Sequence, residues 1–344
     1  VRVRVLFLTL AVLILALGDV STPGAVTPRA DRAWHVVGQG FRNVSPDYEY
    51  PLYRRATRLT PPPSARVPPG GRAPAVMPND GAALRANGHE PTLTWIGHST
   101  FLVQLDGVNI LTDPHWGDRA SPLGFAGPRR LVPPGMKFDD LPPIDLVLIS
   151  HDHYDHLDEA TVRRLNARFH PTFFVPLGVK ALLADFGITN AVELDWGDTG
   201  TFRGLTLACT PAQHSSGRGL RDQNLRLWSS WVVIGTHRRL FFAGDTGYYA
   251  GLKDIGRYGP FDAALIPVGG YSAWPRHPNH VNPEEAVQLL QDVHGRKLVP
   301  MHWGTFEMNR EPFREPPDRL LAEARRRGIE DEIALLSPGQ TIPW

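Results

Sequence analysis

Leu146-Val147-Leu148-Ile149-Ser150-His151-Asp152-His153-Tyr154-Asp155-His156 is the stretch on which the reading of this chain turns. The continuous apolar run Asp145–Ser150 reads as a buried strand, and four candidate metal ligands follow its end within six residues. His151 and His153, two apart on extended backbone, direct their imidazoles to the same side. Asp155 and His156 fall where a helix is expected to begin, so they face a second centre beside the first. Imidazole and carboxylate donors suit zinc, with iron or manganese as less favoured occupants. A solvated loop with chance histidines accounts neither for this spacing nor for the strand ahead of it.

A second metal needs further ligands, and they recur in one context. His214 follows the strand Thr206–Thr210, Asp245 follows Leu240–Ala243, and His302 follows Lys297–Met301. Each lies just past a strand's C-terminal end, where layered α/β proteins gather their sites. Further strands are expected at Thr92–Ile96, Thr100–Leu105, Asn109–Thr112, Thr172–Pro176, Ser230–Ile234 and Ala263–Pro267. Helices are expected at Asp158–Phe169, Gly178–Phe186, Pro283–Val293 and Arg319–Arg327. Strands interleaved with helices indicate a layered α/β domain over residues 91–344.

Residues 21–90 are rich in proline (Pro61-Pro62-Pro63, Pro68-Pro69) and read as an extended arm, with Tyr48, Tyr50 and Tyr53 as possible anchors on the domain. Residues 1–20 carry Arg2 and Arg4 ahead of an apolar run, Val5–Leu17. That run is short for a membrane span and suits a signal peptide or membrane anchor, and hence a periplasmic or cell-envelope location. The single cysteine, Cys209, excludes an intrachain disulfide framework and a cysteine-rich zinc site. With 36 basic against 35 acidic residues the net charge is +1, so no global field favours nucleic acid.

The order and context of the seven ligands resemble the metallo-β-lactamase superfamily, whose fold is a four-layer αββα sandwich. The resemblance implies that His151, His153 and His214 hold one zinc, that Asp155, His156 and His302 hold the other, and that Asp245 bridges them. An aspartate at the bridging position is similar to the phosphodiesterase and glyoxalase-type branches and unlike the β-lactamases proper. Blocks outside the ligands narrow it further: Thr94-Trp95-Ile96-Gly97-His98-Ser99-Thr100, Leu111-Thr112-Asp113-Pro114, Phe241 to Tyr248, His280-Val281-Asn282-Pro283-Glu284-Glu285-Ala286 and His302-Trp303-Gly304-Thr305-Phe306. In shared order these resemble the N-acyl-phosphatidylethanolamine-hydrolysing phospholipases D.

The expected protein is therefore a dinuclear zinc hydrolase. Two divalent ions lower the pKa of a water and clamp an in-line displacement at phosphorus. The resemblance implies a phospholipid or other phosphodiester substrate met at a membrane surface, with Asp155 and Asp245 positioning the nucleophile. His280, which precedes the Pro283 helix, is the candidate for contact with the phosphate or assistance to the leaving group. Asp113 is expected to orient a ligand histidine, His98 to support the core beneath the site, and Tyr271, Trp274 and Trp303 are candidates for an acyl groove. The competing expectations are a lactonase or phosphate-ester hydrolase on a soluble metabolite, and a non-catalytic envelope protein on a hydrolase scaffold; retention of all seven ligands argues against the last.

Overall fold

The apolar runs expected to be strands show little alternation because both faces of each are covered. Along the strand Thr100–Leu105, Phe101, Val103 and Leu105 point into one hydrophobic core while Leu102 points into another. The computed structural model describes residues 32–36, 40–45, 48, 74–271, 279–308 and 311–344. Segment 1–20, Tyr50, Tyr53 and Trp274 lie outside the described residues. Among the described residues, no helix is long and apolar enough to cross a membrane.

Strands β1 (His35–Val36) and β2 (Gly40–Phe41) form a small ladder of their own, and a short helix, α1 (Ala82–Ala86), follows. The chain then builds an antiparallel meander, β3 (Thr92–Gly97), β4 (Thr100–Leu105) and β5 (Val108–Thr112). It continues in parallel through β6 (Leu146–Leu148), α2 (Glu159–Phe169), β7 (Thr172–Pro176), α3 (Val179–Asp185) and β8 (Ala191–Leu194). A second meander comprises β9 (Thr199–Phe202), β10 (Leu205–Thr210), β11 (Ser230–Ile234) and β12 (Arg239–Phe242). Its parallel half is β13 (Ala263–Pro267), α4 (Pro283–Asp292) and β14 (Leu298–Met301), followed by α5 (Glu315–Arg327) and β15 (Thr341–Pro343).

The result is a seven-stranded sheet, β15-β3-β4-β5-β6-β7-β8, and a six-stranded sheet, β14-β13-β12-β11-β10-β9. Leu93, Trp95, Leu146 and Leu148 of the first share a core with Leu207, Trp231, Phe241 and Leu265 of the second, and Leu289, Leu290 and Leu320 of α4 and α5 extend it. Val162, Leu165, Val179 and Leu183 of α2 and α3 close the other core against the first sheet. This is the αββα sandwich of the metallo-β-lactamase fold. Segments ahead of residue 91 pack on it: Leu84 is buried, and Met77 N–H donates to the Pro338 carbonyl at 2.8 Å.

Two expectations change. Asp155 and His156 lie in a turn rather than at the start of a helix. The N–H groups of His156 and Leu157 both return to the His153 carbonyl, and α2 begins only at Glu159. Strands β8 and β9, not anticipated from sequence, each form one edge of their sheet, with one face turned outward and therefore a weak apolar pattern. By contrast, α4 starts where Pro283 announces it, because Asn282 and Glu285 form a reciprocal capping box at 2.8 and 3.0 Å.

Beneath the ligand loop the two sheets are joined by polar contacts. Ser229 N–H donates to the Ser150 carbonyl at 2.8 Å, and Trp231 Nε1–H donates to the Ile149 carbonyl at 2.9 Å. A Trp231→Phe variant keeps most of the apolar volume but strands that buried carbonyl. It should be destabilised by about 1–3 kcal/mol, seen as a lower urea midpoint with an unchanged slope.

Candidate metal centre

The parallel halves of both sheets end at the same edge, and the candidate ligands leave from those ends. His302 follows Met301, the last residue of β14, without a gap, and Asp113 does the same after β5. His151, Asp245 and His214 lie on the loops that follow β6, β12 and β10, close to the strand ends. Gly244 lets two of these ends meet: its φ is +57°, and a Cβ there would fall 2.6 Å from Ser150 Cβ. Three residues of the site, His98, Asp113 and His302, hold positive φ without being glycine, a conformation that persists only where the surroundings impose it.

One group consists of three imidazoles. His151 Nε2 lies 2.9 Å from His153 Nδ1, and His214 Nε2 lies 3.2 Å from the same atom. The second is built on two carboxylates. Asp155 Oδ2 is 3.1 Å from His156 Nε2 and 3.3 Å from His302 Nε2. Asp245 Oδ2 is 3.1 Å from His156 Nε2, 3.0 Å from His302 Nε2 and 3.7 Å from His214 Nε2, so it adjoins both groups. All seven residues expected as ligands are thus brought together. His280 stands over them, its ring 5.2 Å from that of His214 and 4.9 Å from that of His302.

The donors fit a metal better than they fit one another. His156 Nε2, His302 Nε2 and Asp245 Oδ1 are buried and make no hydrogen bond of acceptable geometry, though the two nitrogens lie close to carboxylate oxygens. Buried polar atoms are nearly always satisfied, so convergence without mutual bonding marks a cation site. His151, His153 and His214 could hold one ion, and Asp155, His156 and His302, with His98 beside them, could hold another; Asp245 adjoins both through His156, His302 and His214. The set contains imidazole and carboxylate but no thiolate.

Charge balance among these side chains points the same way. Burial alone would raise the pKa of Asp245, yet His156, His302 and His280 hold it well below the ordinary value. Burial disfavours the cation on His156, but Asp245 and Asp155 outweigh it and keep its pKa well above normal. His214 is depressed to about 3, and His151 lies well below its usual value, in both cases chiefly through burial. His151 and His214 therefore favour the neutral imidazole, which has a lone pair to offer.

Supporting residues orient these ligands. Asp113 Oδ2 accepts from His156 Nδ1 at 2.7 Å and from Ser150 Oγ at 2.6 Å, and Ser150 Oγ contacts His151 Nδ1 at 2.9 Å. One carboxylate thus reaches a histidine of each group, the role expected of Asp113. His98 does more than support the core: its Nε2 lies 3.0 Å from Asp155 Oδ2, and its ring lies 4.2 Å from that of His302. Trp303 is buried and stacked on Trp95 at 5.4 Å, so it packs in the core and lines no groove. Tyr271 donates its hydroxyl to Glu315.

Sequence reasoning passed over Asp152, between the first two histidines. Its carboxylate accepts from Gly217 N–H at 2.7 Å and pairs with Arg226, which also pairs with Asp222. Arg218 donates to the carbonyls of Asp152 and Leu157, both at 2.8 Å, and covers the Tyr154 ring. The segment after His214 is thereby clamped onto the ligand loop. Nothing local in sequence marks Arg226 as the partner of a residue 74 positions away.

The β-lactamase superfamily domain matches residues 108–303, more than half of the chain, and that span holds all seven converging ligands. The protein belongs to the metallo-β-lactamase superfamily. Among its relatives, the N-acyl-phosphatidylethanolamine-hydrolyzing phospholipase D 1 of Caenorhabditis elegans is 48% identical over 248 residues, covering 67% of this chain and 70% of that protein. An uncharacterised protein of Mycobacterium tuberculosis is 44% identical over 281 residues, covering 80% of this chain and 73% of its own. Among solved structures, the metallo hydrolase Igni18 of Ignicoccus hospitalis matches with a TM-score of 0.57 at 26% identity, over 74% of this chain and 98% of that one. This superfamily member is a metal-dependent hydrolase that resembles the N-acyl-phosphatidylethanolamine-hydrolysing phospholipases D.

Asp113→Asn removes the charge that orients His156 and, through Ser150, His151. Metal affinity should fall about 10–100-fold, read by competition with a chromogenic chelator, while the far-ultraviolet circular dichroism stays that of the wild type.

Proposed function

We propose that the protein is a dinuclear zinc phosphodiesterase of the phospholipase D type, acting on N-acyl-phosphatidylethanolamine or a related phospholipid. The observation that carries this reading is the place of Asp245, whose Oδ2 lies within 3.0–3.7 Å of His302, His156 and His214 and so adjoins both ligand groups. His151, His153 and His214 would hold one ion, Asp155, His156 and His302 the other, and Asp245 both. Two such ions supply Lewis acidity toward a phosphoryl oxygen and make a water acidic enough to serve as nucleophile near neutral pH.

The residues of the chain do the positioning. Asp155 and Asp245, held ionised, accept hydrogen bonds from the attacking water and fix its approach. The oxygen of water bonds to phosphorus as one of its protons passes to the carboxylates that hold it, the bond from phosphorus to the ethanolamine oxygen breaks, and the departing oxygen takes up a proton. His280 is placed to give that proton, since its Nδ1 lies 3.8 Å from Asp245 Oδ2 and its side chain, unlike those of Asp245, His214 and His302, is partly exposed. The products are an N-acylethanolamine and phosphatidic acid.

Two observations support a lipid over a soluble metabolite. One is the 48% identity to a relative named for hydrolysis of N-acyl-phosphatidylethanolamine. The other is exposed apolar surface on segments tied to the site. Leu220, on the segment clamped to the ligand loop, and Phe125, on the loop whose base at Arg130 pairs with Phe306, are each 78% exposed.

Metal analysis of protein purified without chelator should find about two ions per chain. Asp245→Asn should lower hydrolysis about 100-fold or more. His280→Gln should lower kcat about 10²–10⁴-fold while the metal content holds. Mass spectrometry of products should show N-acylethanolamine and phosphatidic acid from N-acyl-phosphatidylethanolamine vesicles. Turnover of a lactone panel with none of the phosphodiester would reject this assignment in favour of a lactonase.

A further inference from the structure

The ligand histidines differ in what holds them. His151 and His156 are braced from within the domain by Ser150 and Asp113. The main chain of His214 is instead held by Asn43, 171 residues earlier in the sequence. His214 N–H donates to Asn43 Oδ1 at 2.9 Å, and Asn43 Nδ2 donates back to the His214 carbonyl at 2.8 Å. Trp228 Nε1–H, at 3.2 Å, is a second donor to the same amide oxygen. Asn43 is buried, and these partners leave its side chain one orientation.

The same arm reaches the imidazole by a second route. His214 Nδ1–H donates to the Asn279 carbonyl at 3.0 Å, which leaves Nε2 facing His153. Tyr48 donates its hydroxyl to Asn279 Oδ1 at 2.6 Å, and Asn279 Nδ2 reaches Ser215 Oγ at 3.4 Å. The arm is itself tied down. Phe41 is buried with its N–H on the Asn224 carbonyl at 2.8 Å, and a Cβ on Gly40 would fall 2.0 Å from that carbonyl oxygen. Trp34 Nε1–H and His35 Nε2 each lie 2.9 Å from the Asp195 carboxylate.

We propose that Asn43 is a positioning residue of the metal centre: it fixes the His214 main chain so that the ring presents Nε2 beside His151 and His153, and the arm is thereby part of the site rather than a linker. This rests on the reading of His151, His153 and His214 as a ligand group. A polar partner that orients a ligand without touching the metal typically governs affinity about 10–100-fold. Asn43→Ala removes both bonds to His214. Asn43→Asp keeps the shape and the acceptor but sets a carboxylate oxygen against the His214 carbonyl.

The test uses the full-length chain stripped with chelator and titrated with cobalt(II), with visible absorption and chelator competition as readouts. Trp34→Phe serves as the control, loosening the arm at Asp195 and away from His214. Wild type and Trp34→Phe should bind two cobalt ions alike. Asn43→Ala and Asn43→Asp should bind one ion about tenfold or more weakly, with a shifted visible band for that ion and the other ion unaffected. Binding by both Asn43 variants equal to wild type overturns the proposal. So does equal weakening by Trp34→Phe, which would make Asn43 only one of several arm anchors. Should Asn43→Ala fail to fold, Asn43→Asp alone decides between these results. A wild-type protein that takes up no cobalt refutes the metal reading itself, an outcome distinct from either.

Discussion

Two carboxylates kept ionised out of water are the constraint on which the site depends. Asp155 and Asp245 are both buried, and isolation there would neutralise them. They stay charged because His156 and His302 stand within 3.3 Å of both. His156 in turn needs Asp113 behind it, and Asp113, itself pushed up by burial, is stabilised by His156 and Ser150. Each group is tolerable only because its neighbours are in place. Such an arrangement is costly to break singly, since loss of one partner leaves the other charge buried and unpaired. A divalent ion between the carboxylates would relieve the same electrostatic demand.

Geometry of this accuracy requires short, stiff connections, and the topology provides them. Both sheets combine an antiparallel meander with a parallel half, and the parallel halves bring the strand ends to one edge. His302 and Asp113 leave the sheets with no intervening residue, so their positions are those of β14 and β5. The sheets are also bonded to each other directly below, through Ser229 to Ser150 and Trp231 to Ile149. Ligands carried on rigid elements hold their spacing without help from the metal.

This division explains what could be read from sequence. The fold and the seven converging residues were legible because they belong to strands and strand ends, where apolar runs and histidine spacing are local signals. The exposed edge strands β8 and β9 were not, since a half-solvated edge carries a weak pattern. His98 was only partly legible: its block was recognisable, but its contact with Asp155 depends on a left-handed backbone that no residue pattern specifies. Asn43 was invisible. It lies in a proline-rich, aperiodic stretch, and its bonds to His214 are made to main-chain atoms, which leave no trace in side-chain identity at the other end. Asp152 shows the same limit, as half of an ion pair whose other half is remote.

That ion pair joins the ligand loop to the segment after His214. Asp152 lies between His151 and His153, and its pairing with Arg226 is buried, so loss of Arg226 leaves the carboxylates of Asp152 and Asp222 without their shared cation beside the ligands. Arg218 adds two bonds to the backbone of the ligand loop. The base of the 215–226 segment therefore cannot be rebuilt without disturbing the histidines. Its tip is under no such restraint: Leu220 is 78% exposed. Within one segment, variation at the tip can alter what approaches the site, while the base holds the histidine spacing on which the chemistry depends.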